Sequence, residues 1–103
     1  MVNENIKPSN DFAVPYYAYK ELSGITVPAN SYVNKTLTFS RSIDWHITVI
    51  TAEFQVSGAM TNIAPLSETS AYVTVVNHTS SAIVGILRVR ALLSIPNVTM
   101  TLS

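Results

Sequence analysis

The sequence predicts an all-β fold, an antiparallel β-sandwich of about six or seven strands. Three observations predict it. Apolar residues recur at every second position over most of the chain. Thr, Val, Ile and aromatic residues, the types that fit a pleated half-buried surface, dominate. No segment longer than a turn repeats with a helical period. A chain of 103 residues is the size of one domain with one core.

Residues 1–22 read as an extended N-terminal arm and residues 23–103 as the sandwich. The arm holds Pro8, Pro15 and the cluster Tyr16, Tyr17, Tyr19. Proline and weak periodicity argue for an extended arm or edge segment and against a helix there, and the aromatic content argues that the arm is packed, on its own domain or on a neighbour. Ile25 and Val27 then alternate with Thr26, and Val27 to Ser31 reads as a turn. Val33, Leu37 and Phe39 alternate with Asn34, Thr36 and Thr38 in a half-buried strand. Trp45, Ile47 and Val49 share one strand face, with His46 opposite. The apolar phase then switches to Ile50, Ala52, Phe54 and Val56, as a β-bulge or a tight corner would produce.

Residues 57–70 read as the longest loop, of a length often given to function. Ala71, Val73 and Val75 start the next strand, backed by Tyr72, Thr74 and Val76, and Asn77 to Ser81 is a polar turn. In the following strand, Ile83, Leu87, Val89, Ala91, Leu93 and Ile95 line one face, while Val84, Ile86, Arg88, Arg90 and Leu92 line the other. A strand apolar on both faces is expected to be buried on both. The second cover would be another sheet, the arm or another subunit, and if the arginine-bearing side is open to water in the protomer, that argument for assembly fails. Pro96-Asn97 ends this strand, and Val98, Met100 and Leu102 form a last short one.

Composition narrows the function. Charged residues are 12% of the chain and net charge is zero, against roughly 25% charged in an average globular chain. Mean hydropathy is +0.29. Neutrality removes the electrostatic footprint of a nucleic-acid binder and of polybasic membrane contact. A weakly charged, apolar surface favours an oligomer or a part of a larger assembly. With no cysteine, disulfides and thiolate chemistry are excluded, and a cytosolic, bacterial or viral origin fits better than a small secreted domain. The N-terminal stretch Met1 to Pro8 has no apolar run and does not read as a signal peptide. The apolar stretch from Ala82 to Leu93 is too short and too charged to span a bilayer.

Chemistry-bearing residues are sparse. His46 and His78 have no second histidine at metal-ligand spacing, and three glycines rule out a phosphate loop. Nothing selects a glycosidase pair from Glu4, Asp11, Glu21, Asp44, Glu53 and Glu68. Glu53 is expected to pair with Arg88 or Arg90, since arginines on an apolar strand face need a carboxylate or carbonyl if buried. No catalytic residue, metal ligand or cofactor is expected. The sequons at Asn34, Asn77 and Asn97 read as coincidence in an Asn- and Thr-rich chain. The binding candidates are Tyr16, Tyr17, Tyr19, Trp45, Tyr72 and His78, because ring faces with nearby polar groups recognise sugars and aromatic anchors dominate protein interfaces. Tyr32 is a further available aromatic, and Trp45 is read as core packing ahead of ligand contact.

Gly24-Ile-Thr-Val-Pro-Ala-Asn30, the strand Val33 to Phe39 ending Leu-Thr-Phe, the segment Trp45 to Thr51, Tyr72-Val-Thr-Val-Val-Asn77 with its turn to Ser81, and the apolar strand Val84 to Ile95 follow one another in a set order. This pattern, over about two-thirds of the chain, resembles a C-terminal module of phage tail-fibre and receptor-binding proteins, related in fold to H-type lectins. The proline often found in the strand after the Phe is missing, the chain runs on to Ser103, and the arm has no counterpart. The resemblance implies a trimeric virion protein of the tail or particle surface that contacts host cell-surface carbohydrate. Its interface would be Val84, Ile86, Arg88, Arg90 and Leu92. No saccharide residue of the family maps onto this chain. The alternative is a purely structural virion adaptor or decoration subunit whose partners are other virion proteins. A small glycosidase or esterase ranks below both. Neither leading reading involves nucleic acid or membrane insertion.

Overall fold

The computed structural model describes residues 16–103. Seven strands follow in order: β1 (Tyr16–Val27), β2 (Tyr32–Phe39), β3 (Val49–Phe54), β4 (Ala59–Pro65), β5 (Ser70–Asn77), β6 (Ile83–Leu93) and β7 (Met100–Leu102). They form two antiparallel sheets, one of three strands in the order β1-β6-β3 and one of four in the order β4-β5-β2-β7. This is the all-β, two-sheet architecture that the alternation predicts, and the described residues contain no helix.

The core is the set of inward positions that alternation assigns. Leu87, Val89 and Ala91 of β6 are fully buried, facing Leu37 of β2 and Ala71, Val73 and Val75 of β5. Gly85 of β6 leaves room for the ring of Phe54. A methyl group there would meet Val56 Cγ2 at 2.7 Å and the ring at 3.0 Å, inside any tolerable contact. At the sheet seam, Thr61 Oγ1 of β4 donates to the Ala52 carbonyl of β3 at 2.8 Å.

The strands bear on three sequence expectations. First, the described part of the arm, Tyr16–Leu22, is extended and packed on the chain's own domain, as the first part of the edge strand β1, and pairs with β6 up to Leu22↔Leu87. The register then shifts to Ile25↔Gly85, a bulge with Gly24 at φ 70°, the left-handed conformation glycine adopts freely. The extra residue moves the inward face from Ala18 and Leu22 to Ile25 and Val27, which is why one strand reads as two segments. Residues 1–15 lie outside the described part.

Second, Trp45, Ile47 and His46 are not on a strand. Asp44 Oδ1 accepts from His46 N at 2.9 Å, and its carbonyl accepts from Ile47 N at 3.2 Å and Thr48 Oγ1 at 2.7 Å. An Asp side chain that bonds its own backbone two residues on makes a turn, and β3 begins only at Val49. The phase switch after Val49 therefore marks the end of a turn, not a bulge. Third, residues 57–70 are not a long loop, since β4 occupies Ala59–Pro65 as an edge strand on β5. Thr61 at an inward position hides its alternation, and the exposed Pro65 ends the strand.

The sandwich has two distinct ends. At one, the turns after β1, β3 and β5 meet around Asn77, which is 1% exposed. Its Nδ2 lies 3.1, 3.1 and 2.8 Å from the carbonyls of Val27, Pro28 and Ser81. Its Oδ1 accepts from the backbone N and Oγ1 of Thr79 at 2.8 and 2.7 Å. This polar knot ties the end of β1 in one sheet to the end of β5 in the other. It also removes Asn77 as a glycan acceptor in the folded chain. At the opposite end, the segments 40–48, 66–69 and 94–99 close the core.

Candidate functional site

Three surfaces carry the sequence candidates. The first is the outer face of the three-stranded sheet. β6 lies between β1 and β3, so register builds cross-strand rows on that face: Tyr17–Leu92–Val49, Tyr19–Arg90–Thr51 and Glu21–Arg88–Glu53. Arg88 Nε donates to Glu21 Oε2 at 2.9 Å, and Arg90 Nη1 donates to Glu53 Oε1 at 2.9 Å. Glu53 thus has the arginine partner the sequence anticipates. The Arg90 guanidinium also lies 5.0 Å from the Tyr19 ring centroid, a cation–π distance.

Tyr19 donates its hydroxyl hydrogen bond to Glu21 Oε2. That bond holds the Glu21 carboxyl below its ordinary range, with Arg88 adding to the effect, and raises Tyr19 above the ordinary phenol value. The bond to Glu53 raises Arg90. The middle of this face is therefore charged but internally cancelled.

The expectation that β6 is buried on both sides does not hold within the protomer. Among the described residues no element covers its outer side, and Arg90 keeps 43% of its side chain exposed. The arginines find their carboxylates inside the chain, so two-sided burial no longer argues for a partner. Beside these paired charges the face exposes apolar residues: Tyr17 62%, Val49 55% and Leu92 40% in one row, and Val84 62% at the far end of β6.

The second surface is a cleft of about 480 Å³ at the end that carries residues 40–48, within the size range of small-ligand pockets. Ile43, Asp44, Trp45, His46, Glu68 and Ile95 are among its lining residues. Ile43 N donates to the Glu68 carbonyl at 2.8 Å, which docks this segment on the β4–β5 turn. Trp45 is half-buried, meets Phe39 edge-to-face at 5.9 Å, and donates Nε1–H to the Ser67 carbonyl at 2.7 Å. Its indole is packed on the core, and its one donor is used within the chain.

The third surface is the outer face of the four-stranded sheet, where Tyr72 sits 40% exposed. The six binding candidates do not converge. Tyr16, Tyr17 and Tyr19 lie on β1, Trp45 lines the cleft, Tyr72 is on the other sheet, and His78 is in the turn at the far end, donating its backbone N–H to the Gly58 carbonyl at 3.0 Å. Sequence reasoning missed Val49 and Glu21 as neighbours of β6, because only register reveals them. It missed His46 as a companion of Trp45 because a turn was read as a strand.

Among the described residues, no cluster of three or more His, Asp or Glu side chains could hold a metal ion, and no helix is long and apolar enough to cross a membrane. No protein-family model, curated protein or solved structure matches the chain.

Proposed function

We propose that this chain is a self-assembling virion protein of the phage tail-tip or receptor-binding type, a homotrimer that contacts saccharide on the host cell surface. The observation that carries assembly is the outer face of the three-stranded sheet, where Tyr17, Leu92, Val49 and Val84 are exposed around ion pairs already closed within the chain. Scattered apolar residues are ordinary on a surface, but a cross-strand row of three is a contiguous patch. Covering pre-paired arginines costs less than covering lone ones, because each charge keeps its partner. A second copy, neutral overall like the first, meets no net repulsion there. The three-fold order comes from the resemblance to tail-fibre modules. The face itself asks only for another copy.

The protein acts by adhesion rather than turnover in this reading. Two polar atoms of the cleft lining, Trp45 Nε1 and Asp44 Oδ1, are engaged in holding the local fold. The test combines light scattering with host-cell binding. A trimer that binds cells supports the proposal, and a monomer that does not bind contradicts it. The second reading is a structural adaptor or decoration subunit. It is favoured by the commitment of Tyr19 and Trp45 to contacts within the chain, and it predicts stable incorporation into particles without cell binding.

A further inference from the structure

Among the described residues, the outer face of the four-stranded sheet carries no charged residue. Alternation along β2, β4 and β5 puts Tyr32, Asn34, Asn62, Tyr72 and Thr74 outward, with Met60 beside them, while Lys35 falls on the core-facing side. Register arranges them in rows. Met60 and Tyr32 flank Val76, Asn62 and Asn34 flank Thr74, and Ala64 and Thr36 flank Tyr72. Two tyrosines therefore stand two rows apart on neighbouring strands, with an amide row between them. From strand rise and spacing, their Cα atoms are about 14 Å apart, a span longer than one sugar ring.

The chemistry of this face is specific. Tyr32 is 59% exposed and Tyr72 40%, so each offers a ring surface to solvent. Thr74 Oγ1 donates to Asn34 Oδ1 at 2.7 Å, which fixes that amide and leaves its Nδ2 as an outward donor. Asn62 makes no side-chain hydrogen bond among the described residues and brings both a donor and acceptors. Small neighbours, Ala64 and Thr36, leave the Tyr72 ring standing clear. Stacking rings on either side of a hydrogen-bonding row suit a linear chain of hydroxyl-bearing rings. The absence of cations gives no grip on carboxylated or sulfated chains.

We infer that the Tyr32–Asn34/Asn62–Tyr72 face is a platform for a linear, uncharged oligosaccharide spanning both tyrosines. This inference rests on the saccharide-contact part of the proposed function and gives that contact a location and a ligand class.

Calorimetric titration of the intact protein with neutral linear β-glucan and N-acetylglucosamine oligosaccharides, mono- to hexasaccharide, tests it, with a uronic-acid oligosaccharide as the charged probe. Affinity should rise at least tenfold from disaccharide to hexasaccharide. Tyr32→Ala and Tyr72→Ala should each weaken hexasaccharide binding about tenfold, the scale of one aromatic contact. Both rings are exposed, so melting curves of the variants should match the parent. Failure of every neutral probe at millimolar concentration overturns the inference, as do equal affinity for di- and hexasaccharide, tighter binding of the uronic-acid probe, or undiminished binding by the double variant. Host-cell binding that survives the double variant overturns this placement alone, whereas a parent protein that binds no cells overturns the saccharide contact as well. Dissociation of the assembly by the double variant would make the face a subunit contact and also overturn the inference.

Discussion

The two sheets turn unlike faces outward. The three-stranded sheet shows two ion pairs, a cation–π contact and an exposed apolar row. The four-stranded sheet shows hydroxyls, amides and two tyrosines without a charge. Both rest on the same core, so the difference is not a requirement of folding. A core needs only that inward positions be apolar, and outward positions are free to serve other ends. The internally cancelled face suits contact with a neutral copy of itself, and the uncharged aromatic face suits a hydrated neutral ligand.

The comparison presupposes a rigid frame, and the largest effect should come from breaking that frame. Asn77→Ala removes the amide that holds both sheets at one end and takes its donor from the Val27 carbonyl in the buried part of that knot. A loss of about 3 kcal/mol is expected, read by chemical denaturation, and both faces should lose function together. Next is Gly85→Ala. Its methyl group would press on Phe54 and Val56, and overpacking of this kind costs about 1–3 kcal/mol. The same denaturation series checks it, and the compensating Phe54→Leu should recover part of the loss.

A sharper cut separates the faces. Leu92→Lys places a charge in the exposed row of the three-stranded sheet. It should leave the melting temperature of the dilute protein unchanged but abolish assembly in sedimentation, with the tyrosine face untouched.

The smallest effects concern the ion pairs, which contribute little while water surrounds them. Glu21 is held below the ordinary carboxyl value of 4.5, first by the Tyr19 hydroxyl and then by Arg88. Its contribution is therefore complete above that value and is lost as pH falls through the depressed one. Tyr19, raised first by its bond to Glu21, contributes below its ordinary value of 10.0 and loses that contribution as pH rises beyond it. Carboxyl titration by NMR should find Glu21 below 4.5, and Tyr19→Phe should move it back up. No movement would mean that the hydroxyl bond is absent in solution.

Legibility in the sequence followed physical periodicity. β2, β5 and β6 were plain because their inward residues are mostly apolar, Lys35 and Asn77 aside, and their strands unbroken. β4 was hidden by Thr61, whose hydroxyl is satisfied by the Ala52 carbonyl rather than by water. The start of β1 was hidden by the bulge at Gly24, which inverts the pattern in mid-strand. Trp45 and Ile47 mimicked a strand running into Val49 because an Asx turn leaves no mark on hydropathy. Of the candidate surfaces, the Glu53 pairing was legible from charge economy. The Tyr17–Leu92–Val49 row and the tyrosine platform were not, since each joins residues from two or three strands and only register brings them side by side.

The central claim is that the apolar row on the three-stranded sheet is covered by another copy of the chain. Light scattering of the parent protein and Leu92→Lys at micromolar concentration tests it most directly. The account predicts a trimer for the parent and a monomer for the variant, and a monodisperse parent monomer would contradict it.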